Sequence, residues 1–263
     1  MFLPIPQDVH VTELFSLKSQ VAVVTGGSRG IGLEVVKAFA EAGANVALVY
    51  RSSAAAQDIA RNIAEENNVT VRAYQCDVSI EKDVLQTFDS IARDFGRIDV
   101  LVANAGICYA GAAEDFSPQQ FRSTMGVNFE GPWMCARAAS KYFKQQKKGN
   151  IIFTTSMSAS IVNIPDKQAI YNASKAGLLH LARSLSIEWI DFCRVNCISP
   201  GYIATEMLEG IPEECMREWI ALTPAKRMGK AHELKGAYLF CASDASSFMT
   251  GANLVIDGAY TVP

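Results

Sequence analysis

The chain has 263 residues, 49% of them hydrophobic and 19% charged, enough to bury one sizeable core and consistent with a single domain. A formal net charge of −3 provides no basic excess, which argues against a nucleic-acid partner, so any phosphate ligand needs a local basic site. Seven scattered cysteines without a CxxC pair, and His10, His180 and His232 without metal-ligand spacing, argue against a disulfide framework and a metal centre; reduced thiols and a cytoplasmic location are expected.

The first residues begin apolar, but Pro4, Pro6, Asp8, His10 and Glu13 interrupt the run before it resembles a secretory signal. Residues 1–16 are expected to be a loosely held extension ahead of a domain spanning 17–263. No stretch approaches the roughly 18 consecutive apolar residues of a membrane helix, and the C-terminus lacks a lipidation signal, so a soluble protein is expected.

From residue 21 onward, short β-branched runs alternate with longer segments of helical period. That is the pattern of repeated βα units on a parallel sheet. Strands are predicted near 21–25, 46–50, 71–75, 100–103, 150–155, 194–198 and 253–257. Several are apolar throughout, as strands covered by helices on both faces must be, so the predicted fold is a Rossmann-type doubly wound α/β sheet of about seven strands. Helices are predicted near 31–42, 54–67, 81–95, 118–145, 169–191 and 232–242, with a shorter pair between 205 and 222. Gly43 and Gly96 stand where helix C-caps belong. Pro132 lies inside the fourth helix, lacks an N–H, and should kink it just after Asn128.

Thr25-Gly26-Gly27-Ser28-Arg29-Gly30-Ile31-Gly32 follows the first predicted strand and opens the first helix. Glycines at 26, 30 and 32 permit a tight turn, close approach of backbone to a pyrophosphate and close helix packing, while the helix N-terminus directs free N–H groups at the anion. After the second strand, where a carboxylate would hold an adenosine ribose, the chain has Arg51 and Ser52. With Arg29 they can bind a 2′-phosphate by charge-assisted hydrogen bonds, so NADP(H) is the expected cofactor.

Tyr171 and Lys175 are four residues apart on a predicted helix and share one of its faces. Alone, that spacing is common. In company with the glycine turn, Asn104-Ala105-Gly106 after the fourth strand, Asn128, Ser156 after the fifth strand and Pro200-Gly201 after the sixth, it resembles the short-chain dehydrogenase/reductase family. The likeness runs from about residue 17 to the C-terminus. Stretches 155–158, 180–189, 194–203 and 233–260 are more particularly similar to the fungal polyol dehydrogenases and ketose reductases, the group of mannitol dehydrogenase, sorbose reductase and arabinitol dehydrogenase.

The resemblance implies an NADP(H)-dependent enzyme interconverting a ketone and a secondary alcohol, with no metal. Ser156 would hold the substrate oxygen, Tyr171 would be the general acid in reduction, Lys175 would bind the nicotinamide ribose and lower the tyrosine pKa, and Asn128 would anchor a water relay to Lys175. Bringing a tyrosine from its ordinary pKa near 10 into the neutral range needs about 4 kcal/mol of differential stabilisation. Ser156 precedes Tyr171 by 15 residues and Ser158 by 13; Ser156 directly follows the strand and is preferred, with Ser158 a pocket residue and the alternative holder.

The same resemblance implies cofactor contacts from Asp77 and Val78 to the adenine, from Asn104, Ala105 and Gly106 by backbone approach, and from Pro200, Gly201, Ile203 and Thr205 on the nicotinamide side. Tyr109, Ile164, Tyr202 and Met207 would line the substrate pocket, and the segment up to Trp219 would form a mobile lid. Asp257-Gly258-Ala259 departs from the family, which commonly has a second glycine there. A homotetramer or homodimer is expected, as the family usually forms. Ketose–polyol interconversion is the leading reading; reduction of a bulkier or 3-oxoacyl ketone, and a catalytically silent NADP-binding scaffold, are the alternatives.

Overall fold

The structure, a computed structural model, describes residues 5–262; residues 1–4 of the expected extension, and residue 263, lie outside the described residues. Seven short 3-10 or π elements among the described residues aside, the first half alternates strand and helix: β1 (Val21–Thr25), α1 (Gly30–Glu41), β2 (Asn45–Tyr50), α2 (Ala56–Asn67), β3 (Val71–Gln75), α3 (Glu81–Phe95) and β4 (Val100–Ala103). The second half comprises α4 (Pro118–Met125), α5 (Gly131–Gln146), β5 (Asn150–Thr154), α6 (Ala169–Glu188), β6 (Arg194–Pro200), β7 (Ile203–Ala204), α7 (Glu213–Leu222), β8 (Gly229–Lys230), α8 (Lys235–Ala242) and β9 (Asn253–Ile256).

Seven strands form one parallel sheet in the order β3-β2-β1-β4-β5-β6-β9, and β7 pairs with β8 in a small parallel ribbon beside it. The expected doubly wound α/β sheet is therefore present. Side chains alternate across it: Ala22 and Val24 of β1 join a core with α1, α2 and α8, whereas Val23 joins the opposite core with α3, α5 and α6. Phe39 and Tyr238 fill the first core, and Phe88, Phe143 and Phe153 the second. Truncating one of these buried phenylalanines to alanine costs about 3–5 kcal/mol. Strand order reverses between β1 and β4, and the crevice beyond their carboxyl ends is where an open α/β sheet takes its ligand.

Three local features set the frame for that crevice. The expected single helix from 118 is interrupted by a π turn over Gly126–Glu130, in which the Gly131 N–H reaches back to the Gly126 carbonyl. Pro132, with no N–H to offer the Asn128 carbonyl, accounts for the irregularity at the place the sequence predicts, as a widened turn within a continuous helical run. At the other edge, the buried Arg194 guanidinium donates to the Cys241 and Ser243 carbonyls at 3.1 Å, fastening the start of β6 to the end of α8. Ahead of the sheet, a single turn over Glu13–Phe15 lays Phe15 6.4 Å from Phe240, and the Leu17 N–H donates to the Ala42 carbonyl at 2.9 Å.

Candidate active site

The glycine turn between β1 and α1 is held from below by its own neighbours. Thr25 Oγ1 accepts the backbone N–H groups of Asn104 and Ala105, both at 3.0 Å, and Asn104 Nδ2 donates to the Thr25 carbonyl at 3.0 Å. These bonds lock the loop after β4 to the turn after β1 across the switch point. A Cβ on Gly32 would sit 2.2 Å from the Gly26 carbonyl oxygen, so only glycine lets α1 pack this close to the turn. Gly26 and Gly30 take φ of +66° and +52°, leaving Ser28 and Arg29 on the outside of the turn and Ile31 opening the helix. The turn thus forms a backbone cradle at a helix N-terminus, which fits a pyrophosphate.

Arg29 and Arg51 are both exposed, and neither is paired with a carboxylate among the described residues. Arg51, followed by exposed Ser52, borders a cavity of about 510 Å³ together with Gln75, Asp77 and Thr87 at the outer end of the crevice. Asp77 turns its carboxylate to Ser79, accepting from its N–H at 3.0 Å and its hydroxyl at 2.6 Å, and Val78 is buried. This end of the crevice offers cationic groups and a polar cavity, the chemistry required by an adenosine 2′-phosphate.

Further along the crevice the four expected catalytic positions come together. The π turn aims Asn128 at the loop after β4: the Ile107 N–H donates to its Oδ1 at 2.9 Å, and its Nδ2 donates to the Ile107 carbonyl at 2.8 Å and to Ser174 Oγ at 3.2 Å. A Cβ on Gly106 would lie 3.5 Å from Asn128 Oδ1 and 3.6 Å from Lys175 Nζ, so all three meet at one point. Lys175 Nζ donates to the Thr154 carbonyl at the end of β5 at 2.8 Å and lies 5.8 Å from the centre of the Tyr171 ring. Ser156 interacts with the Tyr171 hydroxyl.

In the protein without cofactor, burial is the leading influence on both groups. Burial pushes Tyr171 up to about 12, the nearby Cys108 adds to the rise, and the interaction with Ser156 works against it. Burial likewise brings the Lys175 ammonium down to about 8.

The two serines are also distinguished. Ser156 faces Tyr171, whereas the Ser158 hydroxyl donates to Asn163 Oδ1 at 2.7 Å and accepts from Gln168 Nε2 at 3.3 Å. Ser158 belongs to a polar wall that the sequence reading missed: Gln168 Nε2 also donates to Asn163 Oδ1 and to Asn172 Oδ1, each at 3.1 Å. Asn163, Asp166 and Gln168 form a polar cluster in an otherwise mixed loop, the only sequence sign of this wall.

Of the expected pocket residues, Tyr202 is drawn inward. Its hydroxyl donates to Asp166 Oδ2 at 2.6 Å, its ring stacks on Trp219 with centroids 4.5 Å apart, and Trp219 Nε1 donates to Asp166 Oδ1 at 2.8 Å. Burial and the bond to Asp166 hold the Tyr202 phenol far above the ordinary tyrosine range. Trp219, expected at the far end of a lid, is instead buried at its base. Tyr109, Ile164 and Met207 remain 38%, 68% and 52% exposed, Met207 within a single 3-10 turn over Glu206–Leu208. Pro200 ends β6, the Gly201 N–H donates to the Ile256 carbonyl at 2.9 Å, and Ile203 is buried in the short ribbon. Thr205 and Glu206 come against the phosphate turn: a Cβ on Gly30 would lie 3.5 Å from Thr205 Cβ and 3.4 Å from Glu206 Oε2.

Comparison with known proteins agrees with this arrangement. A family profile described as enoyl-(acyl carrier protein) reductase matches residues 26–261. A probable NADP-dependent mannitol dehydrogenase of Yarrowia lipolytica is 44% identical over 99% of this chain and 94% of its own length. A sorbose reductase of Candida albicans is 46% identical over 97% of this chain and 91% of its own. Among solved structures, an NADPH-dependent 3-quinuclidinone reductase from Rhodotorula rubra superposes with a TM-score of 0.92 at 39% identity, covering 99% of this chain and 100% of that one. With its fold, its glycine turn and full-length relatives all in agreement, the chain belongs to the short-chain dehydrogenase/reductase family of oxidoreductases.

Proposed function

We propose that this oxidoreductase uses NADP(H) to interconvert a ketose and its polyol, with Tyr171 as the proton-transferring group. The observation that carries the substrate reading is the polar wall of Ser158, Asn163, Gln168 and Asn172 beside Tyr171, which suits a substrate bearing several hydroxyls. The likeness to the Yarrowia lipolytica and Candida albicans relatives, a probable mannitol dehydrogenase and a sorbose reductase, supports it.

Thr25, Gly26, Ser28, Gly30, Ile31 and Gly32 would hold the cofactor's pyrophosphate, Arg29, Arg51 and Ser52 its 2′-phosphate, and Asp77 and Val78 its adenine. Asn104, Ala105, Gly106, Tyr171 and Lys175 would meet the nicotinamide riboside, with Pro200, Gly201, Ile203 and Thr205 on the carboxamide side. When bound, NADP(H) supplies or accepts the hydride.

Ser156 holds the substrate carbonyl oxygen by a hydrogen bond and fixes it within reach of the Tyr171 hydroxyl. A phenol held near 12 keeps its proton at neutral pH, so in reduction Tyr171 O–H donates to that oxygen as it becomes an alkoxide. Lys175 presents a positive charge that steadies the resulting phenolate, and Asn128 holds the Ile107 backbone so that the loop after β4 keeps its place beside the lysine.

Xylulose, ribulose, sorbose and fructose are expected to drive NADPH oxidation, and failure to turn over any of them would overturn the ketose reading. Tyr171→Phe should lose turnover while still binding NADPH in a fluorescence titration; unchanged reduction under saturating NADPH would rule out the proposed proton donor. Arg51→Glu should raise KM for NADPH about tenfold or more with little change for NADH. A second reading, reduction of a bulkier ketone, is favoured by the exposed apolar side chains of Tyr109, Ile164 and Met207 and by the likeness to the 3-quinuclidinone reductase of Rhodotorula rubra.

A further inference from the structure

We infer that Gln168 is the residue that reads substrate hydroxyls, through its side-chain carbonyl oxygen; the inference rests on the ketose reading above. Gln168 caps α6 three residues before Tyr171. Its amide nitrogen faces three oxygen acceptors, Ser158 Oγ at 3.3 Å and Asn163 Oδ1 and Asn172 Oδ1 at 3.1 Å, with only two hydrogens to share among them. The donor end is therefore fully committed. The orientation of the amide is fixed too, since a flip would set its carbonyl oxygen against the oxygens of Asn163 and Asn172.

That fixed orientation turns Oε1 toward Cys108, whose Sγ lies 3.5 Å away. A thiol is a weak donor, and burial pushes this one up to about 11, so it stays a thiol and occupies only one of the two acceptor positions of the amide oxygen. Gln168 Nε2 donates to Ser158 Oγ, which also accepts from Ser156 Oγ at 3.1 Å, so the amide stands one side chain away from the serine of the reacting groups. Beneath it, Ser158 and Asn163 are 4% and 2% exposed and bonded to each other at 2.7 Å, which holds Gln168 on a rigid base.

The reacting oxygen of a ketone accepts hydrogen bonds and is served by Ser156 and Tyr171. A neighbouring hydroxyl is a donor and needs an acceptor. Gln168 Oε1 meets that need, and a ketone without the hydroxyl leaves its second acceptor position unpaired, which is the arrangement that discriminates most strongly between such substrates.

The test compares kcat/KM for xylulose with that for 2-pentanone, the same carbon chain carrying no hydroxyls, in the wild type and in Gln168→Met, a variant of similar length without the amide. The preference for xylulose is expected to fall about tenfold or more in the variant. NADPH binding, followed by fluorescence, should be unchanged and reports that the variant is folded. An unaltered preference in a variant that binds NADPH would overturn the role of Gln168 while leaving the ketose reading intact. A wild type that turns over 2-pentanone but no ketose would overturn both.

Discussion

Asp166→Ala removes the carboxylate that joins the loop after β5 to the segment after β6. In the native protein Asp166 accepts from the Tyr202 hydroxyl at 2.6 Å and from the Trp219 indole at 2.8 Å, and the two rings stack with an interplanar angle of 7°. A hydrogen bond to an ionised acceptor contributes about 1.5–3 kcal/mol, and a buried donor left without a partner costs about 1–3 kcal/mol. Trp219 is buried and its indole N–H has no second acceptor among the described residues, whereas the Tyr202 oxygen still receives Asn163 Nδ2 at 3.4 Å. The expected loss is about 3–5 kcal/mol for Asp166→Ala and about 1–2 kcal/mol for Asp166→Asn, whose single carbonyl keeps one of the two bonds. Urea unfolding at fixed protein concentration, followed by tryptophan fluorescence, measures both. KM for the ketone should rise in parallel, because Asp166 is flanked by Asn163 and Gln168 of the polar wall. If Asp166→Ala lay within about 1 kcal/mol of wild type, or matched Asp166→Asn, the clamp would not be a stabilising element.

Lys175→Met is expected to abolish turnover yet stabilise the fold. Holding the buried Lys175 ammonium charged at neutral pH, when burial has brought it to about 8, costs about 3 kcal/mol, part of which the bond to Thr154 offsets. Below pH 8 the variant should therefore be more stable by about 1–2 kcal/mol. That advantage should fade as pH rises from 8 toward the ordinary lysine value near 10.5, because the wild-type lysine then sheds its proton in the folded state and the cost disappears; an advantage that grew with pH would contradict the assignment. Gly32→Ala forces a methyl into the Gly26 carbonyl and should weaken NADPH binding severely and lower stability by several kcal/mol. Gly96→Ala, with φ of +79° but open space around it, should cost only about 1 kcal/mol and leave NADPH binding alone, so equal effects of the two substitutions in paired titration and unfolding measurements would refute the packing argument.

Those parts of the fold set by local physics were legible in the sequence. β1 and β4 coincide with their predicted spans because central strands buried on both faces must be continuous apolar runs, the edge strand β3 was readable from its alternation of apolar and polar residues, and the glycine turn was readable because the demand for glycine at Gly32 is a contact within the turn itself. Spacing could not separate Ser156 from Ser158, since both lie in a loop of no fixed period before α6. The difference lies in what each faces: Tyr171 for Ser156, Asn163 and Gln168 for Ser158. Asp166 and Trp219 were illegible for the same reason, being 53 residues apart and joined only by the packing of one loop on another. The burial that raises the Tyr171 phenol in the protein without cofactor was illegible too, because a motif displays the neighbouring charge and not the packing around it.

The π turn over Gly126–Glu130 holds one residue more than a regular helix would place there. It does so by advancing each residue less than the about 100° of the ordinary 3.6-residue repeat, so the extra residue is absorbed while the helices on either side keep their facing. Narrowing the turn would re-aim the residues inside it, and Asn128 could then no longer grip both the N–H and the carbonyl of Ile107. In this chain a helix that is locally less perfect is the one that can point a single amide at the reaction centre, so a change that smoothed the helix would cost the site more than the fold.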